Sequence, residues 1–104
     1  MIPKHKPIRS TKIRQAAYME DCTICLPGIC NADPETTVLA HFSFEGGKMG
    51  GKPSDLGGGA FACSACHDSM DFRTDKPEAW DYYAARGIQR TLQRLYERGI
   101  VKVS

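Results

Sequence analysis

The strongest periodic pattern in this chain lies near its end, where Trp80, Tyr83, Ala84, Ile88, Thr91, Leu95 and Tyr96 recur at helical spacing and make one broad apolar stripe. Asp75 as N-cap, Pro77 in the first turn and Glu78 three residues after the cap supply a start signal. Gly99 stands where a helix wants a left-handed terminator. Further upstream, the β-branched and aromatic residues of TTVLAHFSF predict a strand from about Thr36 to Phe44, and Ala60 to Cys63 leave room for a short second strand. Between them, EGGKMGGKPSDLGGG holds seven of the ten glycines and reads as a loop. A helix is expected from Ser64 through about Phe72, a helical turn over Ile13 to Met19, and an extended segment at Val101 to Val103. Residues 1–12 read as an arm because Pro3 and Pro7 discourage helix, and DCTICLPGICNADPET is punctuated throughout by turn residues.

These elements fit one α+β domain of 104 residues, with a basic arm over 1–19, a core over 20–75 and a C-terminal amphipathic helix over 76–104. A chain of this size is marginal if apolar burial alone must hold it, so a metal or crosslink would help. Five cysteines, at 22, 25, 30, 63 and 66, are many for so short a chain. The segment MIPKHKPIRSTKIRQAAYME lacks the apolar stretch of a secretion signal, and no apolar run is long enough to span a bilayer. A cytoplasmic protein with no membrane partner is expected. In a reducing compartment clustered thiols read first as metal ligands rather than disulfides.

Cys63-x-x-Cys66-His67 has the spelling of a c-type haem site and also of a zinc knuckle opening a helix. Haem attachment accompanies export, needs a second axial ligand and would leave Cys22, Cys25 and Cys30 unexplained. Structural zinc takes four soft ligands at tetrahedral corners, commonly two cysteine pairs brought together from separate turns. Cys63 and Cys66 form one pair. Three thiols compete for the other two places: Cys22 and Cys25 have the commoner spacing, while the Pro27-Gly28 turn before Cys30 suits a loop flanked by Cys22 and Cys30.

Charge is unevenly placed although its net value is only +2. Lys4, Lys6, Arg9, Lys12 and Arg14 occur in the first 15 residues without one acid, and Arg86, Arg90, Arg94 and Arg98 recur every four residues. On a helix that interval draws a slowly drifting stripe, either a solvated face or a surface for phosphates. The basic arm makes DNA the expected partner, with Lys4, Lys6, Arg86, Arg90 and Arg94 as candidate nucleic-acid contacts.

A cysteine pair, a strand bearing a histidine, a glycine-rich loop and Cys-x-x-Cys-His opening a helix together resemble the HNH (ββα-metal, treble-clef) endonucleases. The runs CNADPETTVLAHFSF and KPSDLGGGAFACSACHDSMD are similar to a family of small lambdoid-prophage proteins regarded as HNH-type nucleases. The resemblance covers roughly residues 20–75. It implies a zinc-stabilised ββα fold with Cys22, Cys30, Cys63 and Cys66 on the structural zinc and Cys25 expendable. It makes His41 the general base, and it makes His67, with Asp71 one turn later or its neighbour Asp68, the ligand of a second divalent cation such as Mg2+ or Mn2+. Asp55 falls near the position where such enzymes orient the base. Ala40 stands where they commonly carry a further metal ligand. That departure favours a second reading, a zinc-knuckle DNA-binding or protein-interaction module of phage recombination or replication that carries no catalysis.

Overall fold

The computed structural model describes residues 7–42, 53–74 and 77–104. Its elements are α1 (Thr11–Ala16), a 3-10 turn (Pro34–Thr36), β1 (Val38–His41), β2 (Gly59–Ala62), α2 (Ser64–Met70) and α3 (Trp80–Glu97). The result is a small α+β domain with a two-stranded sheet and a C-terminal helix. β1 and β2 pair antiparallel, with Leu39 opposite Phe61 and Ala40 opposite Ala60. Strand alternation sends Leu39 and Phe61 to one face, where they pack with Ile13, Ala16 and Ala17 of the N-terminal helix and with Leu95. Ala40, Phe42, Ala60 and Ala62 go to the other, with Ile24, Leu26, Cys63, Cys66, Met70 and Ala84. α3 contributes to both clusters because it runs against β2.

A lone two-stranded ribbon is marginal in water, and its outer edge would bury unpaired backbone groups. α3 and the cysteine loop close that edge at Phe61. The Phe61 amide donates to Thr91 Oγ1 at 2.9 Å, and the Phe61 carbonyl accepts from the Thr23 amide at 2.7 Å and from Thr23 Oγ1 at 2.8 Å. This makes Thr91, grouped with the apolar stripe in the sequence, a polar member of the core that is 1% exposed. Gly87 lets the helix approach so closely: a Cβ there would collide with Ile24 Cδ1 and come within 3.2 Å of Ala60 Cβ.

Element boundaries differ from the expectations in instructive ways. β1 begins two residues later than Thr36, because Thr36 belongs to a turn in which its hydroxyl donates to the Asp33 carbonyl at 2.9 Å. Phe44 lies outside the described residues. The N-terminal helix starts at Thr11 rather than Ile13, since Ser10 Oγ caps it by accepting from the Ile13 amide. β2 is shifted one residue upstream, and Cys63 instead serves as N-cap of α2. α3 starts at Trp80 behind a left-handed Ala79 with no side-chain cap, so the helix start is not the one Asp75 and Glu78 signal; Asp75 lies outside the described residues. Tertiary docking sets that start: Trp80 Nε1 donates to the Met70 carbonyl at 2.9 Å, and the indole meets Phe42 edge-on at 5.7 Å. The other end follows the sequence, with Gly99 at φ +73 and the Gly99 and Ile100 amides returning to Tyr96 and Leu95. Tyr96 is 53% exposed, while Gly87 takes the buried place in the stripe. Val101 to Val103 form no regular element.

Thr91→Val keeps the side-chain volume but strands the buried Phe61 amide. A loss of about 1–3 kcal/mol of folding stability is expected, measured by chemical denaturation. An unchanged midpoint would show that the edge is satisfied otherwise.

Candidate metal centre and polar site

Four sulfurs converge from both halves of the chain. The Sγ atoms of Cys22, Cys30, Cys63 and Cys66 all lie within 4.8 Å of one another, and those of Cys30 and Cys63 are 3.9 Å apart. Tetrahedral zinc with bonds of about 2.3 Å separates its sulfurs by about 3.8 Å. The set therefore fits a metal ion such as zinc. The loop that carries the first pair is built to hold thiolates. Left-handed φ values at Cys25 (52), Gly28 (72) and Ala32 (55) curl the backbone back upon itself. The amides of Cys25, Cys63 and Ile24 then face Cys22, that of Leu26 faces Cys66 and that of Ala32 faces Cys30. The Cys66 thiol pulls Cys22 down to about 4, against burial, and the same contact pushes Cys66 up. Burial, with Cys22 and Cys63 beside it, pushes Cys30 up to about 11. A bound cation would draw the thiols into the thiolate form in which they ligate. Cys25 is exposed and outside the set, with its thiol donating to the Cys22 carbonyl at 2.9 Å.

The second pair of thiols aims α2. Cys63 Sγ accepts from the Cys66 amide at 3.4 Å, so the knuckle and the first helical turn are one structure, and His67 follows immediately. His67 Nε2 lies 3.1 Å from Asp71 Oδ2, one turn on, with both side chains about one-third exposed. Asp68, the neighbouring acid, pairs with Arg73 at 3.5 Å.

His41 ends β1 on the Leu39 face, and its Nε2 sits 2.7 Å from Asp55 Oδ1. Asp55 is 1% exposed, an unusual place for a carboxylate. Its other oxygen accepts from the Ser10 amide at 2.7 Å and lies 3.3 Å from Arg14 Nε, and Arg9 approaches Oδ1 at 3.7 Å. Burial pushes the Asp55 carboxyl up, but the Ser10 amide, His41 and Arg14 outweigh it and hold the group below the ordinary carboxylate range. Gly58 makes the turn possible, since a Cβ there would meet the Ser54 carbonyl oxygen at 2.7 Å. Among the described residues, the four cysteines form the one ligand-sized group of three or more His, Cys, Asp or Glu side chains. The His41–Asp55 and His67–Asp71 pairs are thus not merged into such a group.

The arginine stripe of α3 is largely turned onto the chain itself. Arg86 donates to the Ile24 carbonyl at 2.7 Å and stacks near Tyr82 and Tyr83, and Arg90 donates to the Thr23 carbonyl at 3.2 Å. Arg94 and Arg98 share Glu20, each at 2.9 Å. Lys4 and Lys6 lie outside the described residues. The sequence reading missed the role of Arg9, Ser10 and Arg14 as Asp55 partners, because nothing in local spacing links position 55 to an arm 41 to 46 residues away. The density of base in the arm against the acid Asp55 in the glycine-rich loop was the available signal.

The family described as "Putative nuclease YbcO" matches residues 11–100. "Putative nuclease YbcO" of Escherichia coli (strain K12) is 41% identical over 93 residues, covering 86% of this chain and 96% of the relative. The protein of the same description from Enterobacteria phage 82 matches to the same extent. A solved structure of "a putative bacteriophage protein" from Escherichia coli str. K-12 superposes with a TM-score of 0.70 at 39% identity, covering 85% of this chain and all of that one. Among the described residues, no helix is long and apolar enough to cross a membrane.

Metal analysis should find about one zinc per chain. Cys63→Ser or Cys66→Ser should lose the metal and unfold, since such a site carries much of the folding energy of a small domain, whereas Cys25→Ser should retain both metal and fold. Loss of zinc from Cys25→Ser with retention by Cys30→Ser would reverse the ligand assignment.

Proposed function

The chain belongs to the YbcO nuclease family, and on that footing we propose that it is a metal-dependent DNA endonuclease of the HNH type, with the cysteine cluster holding a structural zinc in a treble-clef, ββα-metal core. The contact that carries this reading is the one between His41 and the buried Asp55. A carboxylate only accepts, so its hydrogen bond assigns the proton to His41 Nε2 and leaves Nδ1 as the free base. The pair thereby gives an oriented imidazole on a partly exposed strand end, placed as proton abstraction from an attacking water requires.

His67 and Asp71 would hold the second divalent cation, which supplies charge stabilisation at the scissile phosphate and the departing oxygen when bound. Two protein ligands suffice for magnesium or manganese if water and phosphate oxygens complete the shell. The cysteine knuckle takes no part in bond breaking: it fixes where α2 presents His67 relative to β1. The likeness of 86% of the chain to proteins described as "Putative nuclease YbcO" supports the reaction class, and the basic arm supports a polyanionic substrate.

A second reading, a zinc-knuckle DNA-binding or interaction module, is favoured by Ala40. Its methyl is 0% exposed within the core, so the position before the base contributes no ligand.

Plasmid nicking in magnesium or manganese distinguishes the two. His41→Ala should keep zinc and fold yet cut about 100-fold to 10,000-fold more slowly, the usual cost of a lost general base. His67→Ala should also fail, with partial rescue by excess cation that His41→Ala does not share. A wild-type protein that binds DNA but cuts neither duplex, branched nor single-stranded forms leaves the module reading in place of the enzyme.

A further inference from the structure

The arginines that touch the His41 site are not those of the long helix. Three donors from two parts of the chain, Arg9 and Arg14 of the arm and His41 of β1, converge on the one Asp55 carboxylate at 3.7, 3.3 and 2.7 Å. The carboxylate lies beneath them, 1% exposed, while the Arg9 and Arg14 side chains are 43% and 53% exposed. The arm is seated by backbone as well as charge. The Ile8 amide donates to Ser54 Oγ at 2.9 Å, the Asp55 amide to the Ile8 carbonyl at 2.8 Å, and Arg9 to the Pro53 carbonyl at 2.8 Å. The two guanidinium groups outnumber the one carboxylate they share, and keep an excess of one positive charge over it. Each guanidinium carries five N–H donors, more than these contacts consume.

The cleft beside α3 has the opposite balance. It is about 710 Å³, and its lining sets Arg86, Arg90 and Arg94 against Glu20, Asp21 and Glu97, three charges of each sign. An anionic backbone gains little there.

We propose that Arg9 and Arg14 are the phosphate-binding pair of the His41 site, taking DNA backbone phosphate oxygens on the solvent side of their contacts with Asp55, and that α3 is not the DNA-contacting face. The inference rests on the nuclease reading above for its substrate. Asp55 then has two tasks: it sets the tautomer of His41 and it fixes two guanidinium groups at a set distance from that base.

The test is the salt dependence of binding to a fluorescent DNA duplex, without divalent cation so that no cleavage intervenes. Each phosphate contact removed should lower the slope of log K against log salt by about 1. Arg9→Gln/Arg14→Gln should lower it by about 2, while Arg90→Gln/Arg94→Gln should leave it unchanged. A purely structural role for Arg9 and Arg14 would reduce stability without moving the slope of the folded fraction. Should the double variant not fold, Arg9→Gln alone, whose loss leaves Arg14 and His41 on the carboxylate, should lower the slope by about 1. An unchanged slope there, or a fall confined to the α3 variant, overturns this inference and leaves the nuclease reading standing. Wild-type protein that binds no DNA overturns both.

Discussion

Everything positioned in this domain is referred to one constraint, the meeting of four sulfurs from two distant segments. The loop bearing Cys22 and Cys30 has no helix or strand of its own, so its position relative to the knuckle of Cys63 and Cys66, which opens α2, depends on that junction. From it follow the capping of α2 by Cys63, the register in which His67 follows Cys66, and the placing of Thr23 and Ile24 against β2 and α3. A cluster in which Ala40, Ala60, Ala62 and Ala84 are as numerous as the large apolar residues Ile24, Leu26, Phe42 and Met70 offers little side-chain bulk to impose such a geometry unaided. The small residues let strand, loop and helix approach closely, and a metal ion held by the four sulfurs would supply the cohesion that their size forgoes.

A second junction, at Asp55, works by polarity rather than by ligation. Burying a carboxylate is costly unless its hydrogen-bonding capacity is filled. Here the partners more than compensate, which is why the group stays below the ordinary carboxylate range despite its depth. Such an arrangement holds its members in one geometry because the alternative is an unpaired charge in the core. The sheet lies between the two junctions: cysteines and α2 contribute to the Ala40 face, and Asp55, α1 and the arm gather on the Leu39 face.

Much of this was legible in the sequence wherever local chemistry decided it. The knuckle of Cys63 and Cys66, the turn at Gly28, the strand histidine, the His67–Asp71 spacing and the Gly99 terminator each follow from residues within a few positions of one another. Family resemblance gave the choice of Cys22 and Cys30 over Cys25, which spacing left open, and the structure brings the same four sulfurs together. What escaped was settled by contacts across the chain. Asp75 and Glu78 spell a helix start, yet the docking of Trp80 on Met70 moves the first turn to Trp80. Thr91 reads as an indifferent member of a stripe until an edge amide needs an acceptor. The arginine interval on α3 suggests a surface for phosphates, while its contacts with Glu20 and with the carbonyls of Thr23 and Ile24, all remote in sequence, could not be read from that interval.

The reach of these contacts bears on how the molecule comes into being. Arg98 donates to the Ala16 carbonyl across 82 positions, Arg94 reaches Glu20 across 74, and Ser10 reaches Asp55 across 45. Neither half of the chain contains both sides of any of these junctions. A nascent chain still missing α3 has no acceptor for the Phe61 amide, and one missing the knuckle has only half its sulfurs. Assembly is therefore expected to be all-or-none and slow for so short a polypeptide, as high average loop closure demands. The arm translated first finds its final neighbours only when later segments have emerged.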